Sequence, residues 1–371
     1  MLQLESVAVK FRGIEVSEFQ VTRTALQTHR IVAGASAETS LGPDEVLLKV
    51  DRFAFTANNV TYGVAGDQIG YWNFFPPAGG GDAWGVLPVW GFAEVVAGDA
   101  LPLGERLYGY LPPAEYLKIE AGKISASRVV DTSAHRASLP PVYNTLTRVT
   151  AEPGYDPSQD DLRCLLWPLF ITSFCLWDSA KDNAWYGSEQ VIVLSASSKT
   201  SIGLAYALNG DDDAPKSVGV TSPGKLKTVQ QMGLYDEVIT YDDTPDDKAT
   251  LIIDMSGNSQ ALSALHRTLG ENMKKTLNVG ITHWQTPRTR DGYILDRCEF
   301  FFAPGHIQKR YKDWGADGFA QKSGAFMQET TARTSAWLNI RHLAGLSELA
   351  EMYVDVCEGR VPPTDGLIVR M

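Results

Sequence analysis

The 371-residue chain carries 44 acidic against 33 basic side chains, a formal net charge of −11 and a pI of about 5.1; such a surface, with no basic stripe, argues against nucleic-acid binding. Hydrophobic residues at 44% and charged residues at 21% describe a soluble globular protein, of a length that suits two domains. No apolar run spans a bilayer and no signal core opens the chain, and the scattered Cys164, Cys175, Cys298 and Cys357 form no C-x-x-C pair, as expected of reduced thiols in a cytoplasmic protein.

Residues 1–150 read as β-rich. Alternating stretches occupy 11–26, Gly42-Pro43-Asp44-Glu45 makes a turn, and 46–55 is a strand. Residues 58–63 have the size of a single helical turn, and a glycine- and aromatic-rich loop runs over 66–84. Further strands are expected at 89–96, after the turn in 103–110, and at 114–119. Short strands separated by Gly and Pro predict a small barrel-like domain. From Asp161 the character changes: 162–178 is apolar nearly all round, as is a helix buried between layers. Strands at 191–194, 218–221, 237–241, 251–254, 276–280 and 299–303 then alternate with helical stretches, which predicts a parallel sheet of about six strands. The acidic 242–248 stretch is a solvated loop. Residues beyond Tyr311 read as helical, with 335–356 amphipathic, and 367–371 as a strand returning to the first domain.

The chain is organised around 189–208. Val191-Ile192-Val193-Leu194 reads as a strand buried on both faces of a parallel sheet. Small polar residues follow from Ser195 to Ser201, and Ile202-Gly203-Leu204-Ala205 opens a helical pattern. Strand, tight turn and helix form the first unit of a doubly wound nucleotide-binding fold, whose helix N-terminus and bare backbone N–H groups receive a diphosphate. Of the G-x-G-x-x-G fingerprint only Gly203, the last, stands; Ala196 and Ser198 supply small residues, and Ser197, Lys199 and Thr200 complete the turn. Lys199-Thr200 resembles the end of a P-loop, but the glycines of that motif are missing, Ser198 standing where the second should be. The second strand ends at Thr221-Ser222, with Lys225 and Lys227 beyond it. No carboxylate waits there for a ribose 2′-hydroxyl, whereas two cations and two hydroxyls suit a 2′-phosphate, which favours NADP(H) over NAD(H). Asp254 with Gly257, and Asn278-Val279-Gly280, read as strand ends where ligands of open sheets collect; Gly257, Val279 and Gly280 are expected to meet the cofactor through backbone.

The order of these parts resembles the medium-chain dehydrogenase/reductase superfamily, particularly its zinc-independent quinone and enoyl reductases and a poorly characterised bacterial branch with the same serine-rich turn. The resemblance is carried by Gly42-Pro43-Asp44-Glu45-Val46-Leu47-Leu48-Lys49-Val50, Asn58-Asn59-Val60-Thr61-Tyr62-Gly63, Trp90-Gly91-Phe92-Ala93-Glu94-Val95-Val96, Leu103-Gly104-Glu105-Arg106-Leu107-Tyr108-Gly109, Ala114-Glu115-Tyr116 and the nucleotide turn, over most of the chain. It implies an α/β chain: a GroES-like β-barrel domain over 1–155, rejoined by 312–371, and a Rossmann domain with a doubly wound parallel sheet over 156–311, the active cleft lying between them. It also implies a homodimer, and hydride transfer from NADPH to a small-molecule substrate, whether quinone, enone or enoyl thioester. No Cys precedes Cys164 and the four-cysteine zinc lobe is absent, which disfavours zinc-dependent alcohol oxidation. Without a metal, hydrogen-bond donors must polarise the acceptor carbonyl; Asn59 and Tyr62 on the short turn and Tyr71 in the aromatic loop are the candidates. His266, His283 and His306 have no metal-binding spacing, and no G-x-S-x-G marks a serine hydrolase. The eroded glycine turn leaves a non-catalytic NADP(H)-binding or sensing protein of the same fold as the alternative.

Overall fold

The structure, a computed structural model, describes residues 17–280 and 292–371. The strands before the connecting helix are β1 (Ser17–Thr22), β2 (His29–Ala33), β3 (Glu45–Phe55), β4 (Trp84–Gly85), β5 (Val89–Ala97), β6 (Arg106–Leu111), β7 (Tyr116–Ile124), β8 (Arg128–Asp131) and β9 (Thr145–Arg148). Beyond it come β10 (Gln190–Leu194), β11 (Lys216–Thr221), β12 (Glu237–Thr240), β13 (Thr250–Asp254), β14 (Met273–Asn278), β15 (Cys298–Phe300), β16 (Asn339–Ala344) and β17 (Asp365–Arg370).

The barrel is built on β3. Its first half pairs with β7 and closes the ring β3-β5-β6-β9-β8-β7, while Arg52–Phe55 pairs with the returning strand β17. Register shifts against β5 at Leu47/Leu48 and Val50/Arg52 bend the strand between these partners, the usual work of a bulge at a barrel corner. Residues of β3, β5, β6 and β7 fill the interior with Val, Leu and Phe side chains that exclude water. The second sheet runs β12-β11-β10-β13-β14-β15, all parallel. This is the 3-2-1-4-5-6 order of the dinucleotide-binding fold, with its switch point between β10 and β13. Both of those strands are buried at every residue, as their unbroken apolar runs require of central parallel strands.

The helix Asp160–Asp182 lies between the two sheets. Asp160, 1% exposed, fastens its first turn to the barrel by accepting from Arg106 at 2.7 Å and the Tyr155 hydroxyl at 3.0 Å. Glycines let it approach on both sides: a Cβ on Gly366 of β17 would stand 2.2 Å from Leu165, and one on Gly203 of the helix Lys199–Asn209 would stand 2.6 Å from Phe170 and Ser173. Among the described residues no helix is long and apolar enough to cross a membrane.

The structure corrects several local expectations. Residues 335–356 are not one amphipathic helix: the helical stretch Ala303–Ser335, broken at Gly315, ends and Asn339–Ala344 becomes strand β16, held by parallel pairing with β17, a tertiary partner that local periodicity does not report. Residues 299–303 split between β15 and a helix starting at Ala303 with Pro304 in its first turn. The strand expected at 114–119 begins at Tyr116 and runs to Ile124. Residues 58–63 belong to a two-turn helix, Ala57–Val64. β8 and β9, four residues each, complete the barrel without having been anticipated. Of the 11–26 expectation, residues 11–16 lie outside the described residues, as does His283.

Two glycines in helices are expected to respond with opposite sign. Gly203→Ala forces a methyl against Phe170 and should cost about 1–3 kcal/mol. A Cβ on Gly324 meets nothing within 4 Å, so Gly324→Ala should stabilise by up to about 1 kcal/mol. Denaturant unfolding of the two variants checks both; equal effects would contradict the tight helix–helix contact.

Candidate active site

Two cavities of about 400 and 290 Å³ open between the barrel and the parallel sheet, and Asn58, Thr61, Thr172 and Val279 line both. The larger lies at the switch point. One wall is the turn after β10 with Met255, Val279 and Gly280 from the ends of β13 and β14; the other is Phe55–Asn58 and the segment from Cys357 to Leu367.

The turn forms without its glycines because Ser195 takes the left-handed conformation, φ 59°, usually left to glycine. Its N–H donates to the Tyr241 hydroxyl at 3.1 Å. Ser198 caps the following helix, its Oγ accepting from the Ser201 N–H at 3.2 Å and sharing a 2.8 Å hydrogen bond with the Ser201 hydroxyl. Ser201 being capped, the N–H groups of Lys199 and Thr200 remain as the first-turn donors at the cavity wall, where the positive end of the helix dipole suits an anion. The Lys199 ammonium donates to the carbonyls of Asp365 at 2.7 Å and Pro363 at 3.3 Å. Burial pushes its pKa down to about 8, opposed by Asp365 and reinforced by Lys225. Burial also lowers Lys225, the other ammonium on this cavity. The carboxylates there, Glu358 and Asp365, sit on the barrel side, and Glu358 is paired with Arg360.

The remaining residues expected at the cofactor separate into two groups. Ser197, Ser198, Lys199, Thr200, Lys225, Val279 and Gly280 line the cavity. Ala196, Gly203, Thr221, Ser222, Lys227 and Gly257 do not. Ala196 is fully buried, with its N–H on the Val220 carbonyl. Gly203 faces the connecting helix. Thr221 is buried, Ser222 and Lys227 are exposed outside the cavity, and the Gly257 N–H is held by the Asp254 carboxylate at 3.1 Å. At the end of β13 it is Met255 that reaches the cavity.

The smaller cavity has an aromatic lining. Tyr62, Tyr71, Trp90, Tyr108, Tyr143 and Trp167 form much of its wall, joined by Phe300 at the end of β15 and by Phe301 and Phe302 in the link to the helix that starts at Ala303. The Tyr62 hydroxyl accepts from Asn58 Nδ2 at 2.8 Å and from Trp90 Nε1 at 3.3 Å. With both lone pairs engaged, the O–H hydrogen is the remaining hydrogen-bonding group of this cavity-lining side chain. Tyr71 and Tyr143 share a 3.0 Å hydroxyl–hydroxyl bond. Burial raises the pKa of Tyr62 and Tyr71, so both are neutral O–H groups at physiological pH.

Asn59 is not at the site. It is 4% exposed and lines neither cavity. Its Oδ1 accepts from the Thr56 N–H at 2.8 Å in a capping box, and its Nδ2 donates to the Pro88 carbonyl at 2.8 Å. Its neighbour Asn58 faces both cavities instead. Thr172 is also at the site, a polar residue beside Ser173 in a largely apolar helix run. The histidines have structural partners, His266 at 2.9 Å from Thr276 and His306 at 2.6 Å from Asp178. Asn59→Ala is expected to cost about 1–3 kcal/mol of stability and Asn58→Ala about 0.5 kcal/mol or less, as read by urea unfolding; the reverse order would contradict the assignment.

No curated protein sequence matches the chain. Solved structures share its fold. CurA from Vibrio vulnificus in complex with NADPH superposes with a TM-score of 0.61 at 12% identity, over 96% of this chain and 99% of that one. Mycobacterial Rv1454c complexed with NADPH gives 0.59 at 12%, over 96% and 100%. A quinone oxidoreductase of Pseudomonas syringae pv. Tomato DC3000 gives 0.55 at 14%, over 95% and 99%. The shared fold is a barrel domain joined to a Rossmann-type parallel sheet. A family model described as "Protein of unknown function (DUF2855)" matches residues 53–362, and the chain belongs to that family.

Proposed function

We propose that the chain is an NADPH-dependent, zinc-independent reductase acting on a conjugated carbonyl compound, whether quinone, enone or enoyl thioester. The observation that carries this reading is the junction of the two cavities: a cradle of helix N–H groups and lysines meets, at Asn58, Thr61, Thr172 and Val279, an aromatic chamber holding a free O–H donor. Two solved relatives in fold are NADPH complexes, and the residues here fit that cofactor. The Lys199 and Thr200 N–H groups with the Lys199 ammonium would hold its diphosphate, Lys225 its 2′-phosphate, and Thr172 and Val279 would flank its nicotinamide at the junction. Bound there, NADPH would supply a hydride.

The chain's own work is then positioning and charge stabilisation. When the C=C–C=O of an enone gains a hydride at its β-carbon, the π bond breaks and charge moves to the carbonyl oxygen. Tyr62, its oxygen fixed by Asn58 and Trp90, presents its hydrogen to that oxygen. A proton from solvent then completes the α-carbon. The described residues lining the two cavities include no His and only one Cys, Cys357, so the zinc ligands of the alcohol dehydrogenases have no counterpart there.

Tyr62→Phe is expected to lower kcat for an enone or quinone by about 100-fold while leaving the Kd for NADPH within about twofold, by steady-state kinetics and NADPH fluorescence; an undiminished kcat would remove Tyr62 from the reaction. The cofactor cation has a signed pH dependence. Lys199 is charged below about pH 8 and loses its proton above it, so the Kd for NADPH should rise about tenfold from about pH 7 to about pH 9. The rise should shrink in Lys199→Met, any remainder being due to Lys225, and NADH should bind more weakly than NADPH. Tight NADPH binding with no turnover of any conjugated carbonyl would instead assign the chain a sensing role.

A further inference from the structure

The phosphate turn is held from behind by a buried hydroxyl. After β10 the chain makes a tight turn, closed by the Ser198 N–H donating to the Ser195 carbonyl at 2.9 Å. The peptides leading into it are tied: the Ser195 N–H to the Tyr241 hydroxyl at 3.1 Å, and the Ala196 N–H to the Val220 carbonyl at 2.9 Å. The middle peptide, between Ala196 and Ser197, takes no part in the closing hydrogen bond, and its rotation is what separates one turn type from another. Its carbonyl accepts from the Tyr235 hydroxyl at 3.0 Å, and the same hydroxyl lies 3.1 Å from the Ser201 carbonyl in the first turn of the following helix.

Tyr235 stands just before β12 and is buried. Burial raises its pKa, so the hydroxyl keeps its hydrogen and donates. Room for the ring comes from Gly219 in β11: a Cβ there would stand 2.8 Å from the ring and 3.0 Å from the Ala196 Cβ. Glycine weakens a strand interior and often marks a close approach; here the approaching group is the ring that reaches the turn. A trans peptide points its C=O and N–H in opposite directions. With the Ala196 carbonyl drawn to Tyr235, which lines neither cavity, the Ser197 N–H is turned to the other side, and Ser197 lines the larger cavity beside Lys199 and Thr200.

We propose that Tyr235 is a positioning residue for anion binding: by holding the Ala196 carbonyl it aims the Ser197 N–H at the diphosphate, as a third backbone donor beside those of Lys199 and Thr200. A turn fixed before its ligand arrives loses less freedom on binding it. The proposal rests on the reading of the larger cavity as the cofactor site. It assigns the effect to the hydroxyl alone, since a phenylalanine ring would fill the same space beside Gly219.

The test uses the whole protein and titration calorimetry with NADPH, inorganic pyrophosphate, and adenosine 2′-monophosphate, which carries the 2′-phosphate but no diphosphate. Tyr235→Phe is expected to raise the Kd of NADPH and of pyrophosphate about tenfold while moving that of adenosine 2′-monophosphate by less than about twofold. A hydroxyl with a merely structural role would lower stability without this selectivity. Gly219→Ala, which displaces the ring but keeps the hydroxyl, should reproduce the selective loss. Tyr206→Phe removes a buried hydroxyl that accepts from Trp337 Nε1 at 3.0 Å and lies outside both cavities; it should leave all three ligands within about twofold. Equal weakening of all three by Tyr235→Phe, or pyrophosphate binding that ignores the change, would overturn the proposal. Selective weakening of pyrophosphate in a protein that binds no NADPH would uphold the proposal and sink the cofactor reading; tight NADPH binding that ignores the loss of the hydroxyl would do the reverse.

Discussion

The contact on which the architecture depends is the close seating of the helix Asp160–Asp182 between barrel and sheet. On the barrel side it is pressed against Gly366, where any side chain would strike Leu165; on the sheet side it is pressed against Gly203, where any side chain would strike Phe170 and Ser173. Because interiors are close-packed and yield little, these two contacts set the separation of the layers. The cleft follows from that separation: Leu169 and Thr172 of the same helix line the larger cavity, and Trp167, Pro168, Ile171 and Thr172 line the smaller. Pro168 removes a backbone donor from the helix interior, and the Thr172 hydroxyl donates back to the Pro168 carbonyl at 3.2 Å. The helix is thus both the spacer between the halves and a wall of the site.

Electrostatics divide the site that packing creates. Lys199 spans from the turn after β10 to the carbonyls of Pro363 and Asp365 beside β17, so the cation at the helix N-terminus also ties sheet to barrel. Burial keeps that ammonium readily titratable, and an arriving dianion would restore its charge. The adjoining chamber is uncharged among its described lining residues. In the proposed reaction, a low-dielectric chamber would strengthen the Tyr62 hydroxyl as a donor to charge developing on a bound oxygen. The missing glycines of the phosphate turn do not remove its geometry: Ser195 adopts the left-handed conformation itself, and Ser198 and Ser201 satisfy one another at the helix start.

How legible this was in the sequence depends on the length scale of each signal. The unbroken apolar runs of β10 and β13 and the all-round apolar helix reported burial directly, because central strands and interlayer helices have no solvent face. β8, β9 and β16 did not show, since strands of four to six residues owe their existence to partners far along the chain. Within the site, Tyr62 and Tyr71 come together in one chamber with Tyr143, which no local pattern linked to them. Asn58 and Asn59 show the limit most clearly: adjacent helical residues point roughly 100° apart, so one reaches the cleft while the other closes a capping box. Lys225 and Lys227 separate for a similar reason, one lining the cavity and one exposed beyond it. Gly203 was identified by the fingerprint, but its place is in helix packing rather than at a phosphate.

The most direct measurement is a crystal structure of the protein grown with NADP⁺ and a neutral aryl ketone. The expected result is the diphosphate on the Lys199 and Thr200 N–H groups, the nicotinamide ring between Thr172 and Val279, and the ketone oxygen within hydrogen-bonding distance of the Tyr62 hydroxyl. Cofactor density elsewhere, or a ketone oxygen turned away from Tyr62 with the two cavities separated by side chains, would contradict a single hydride-transfer cleft.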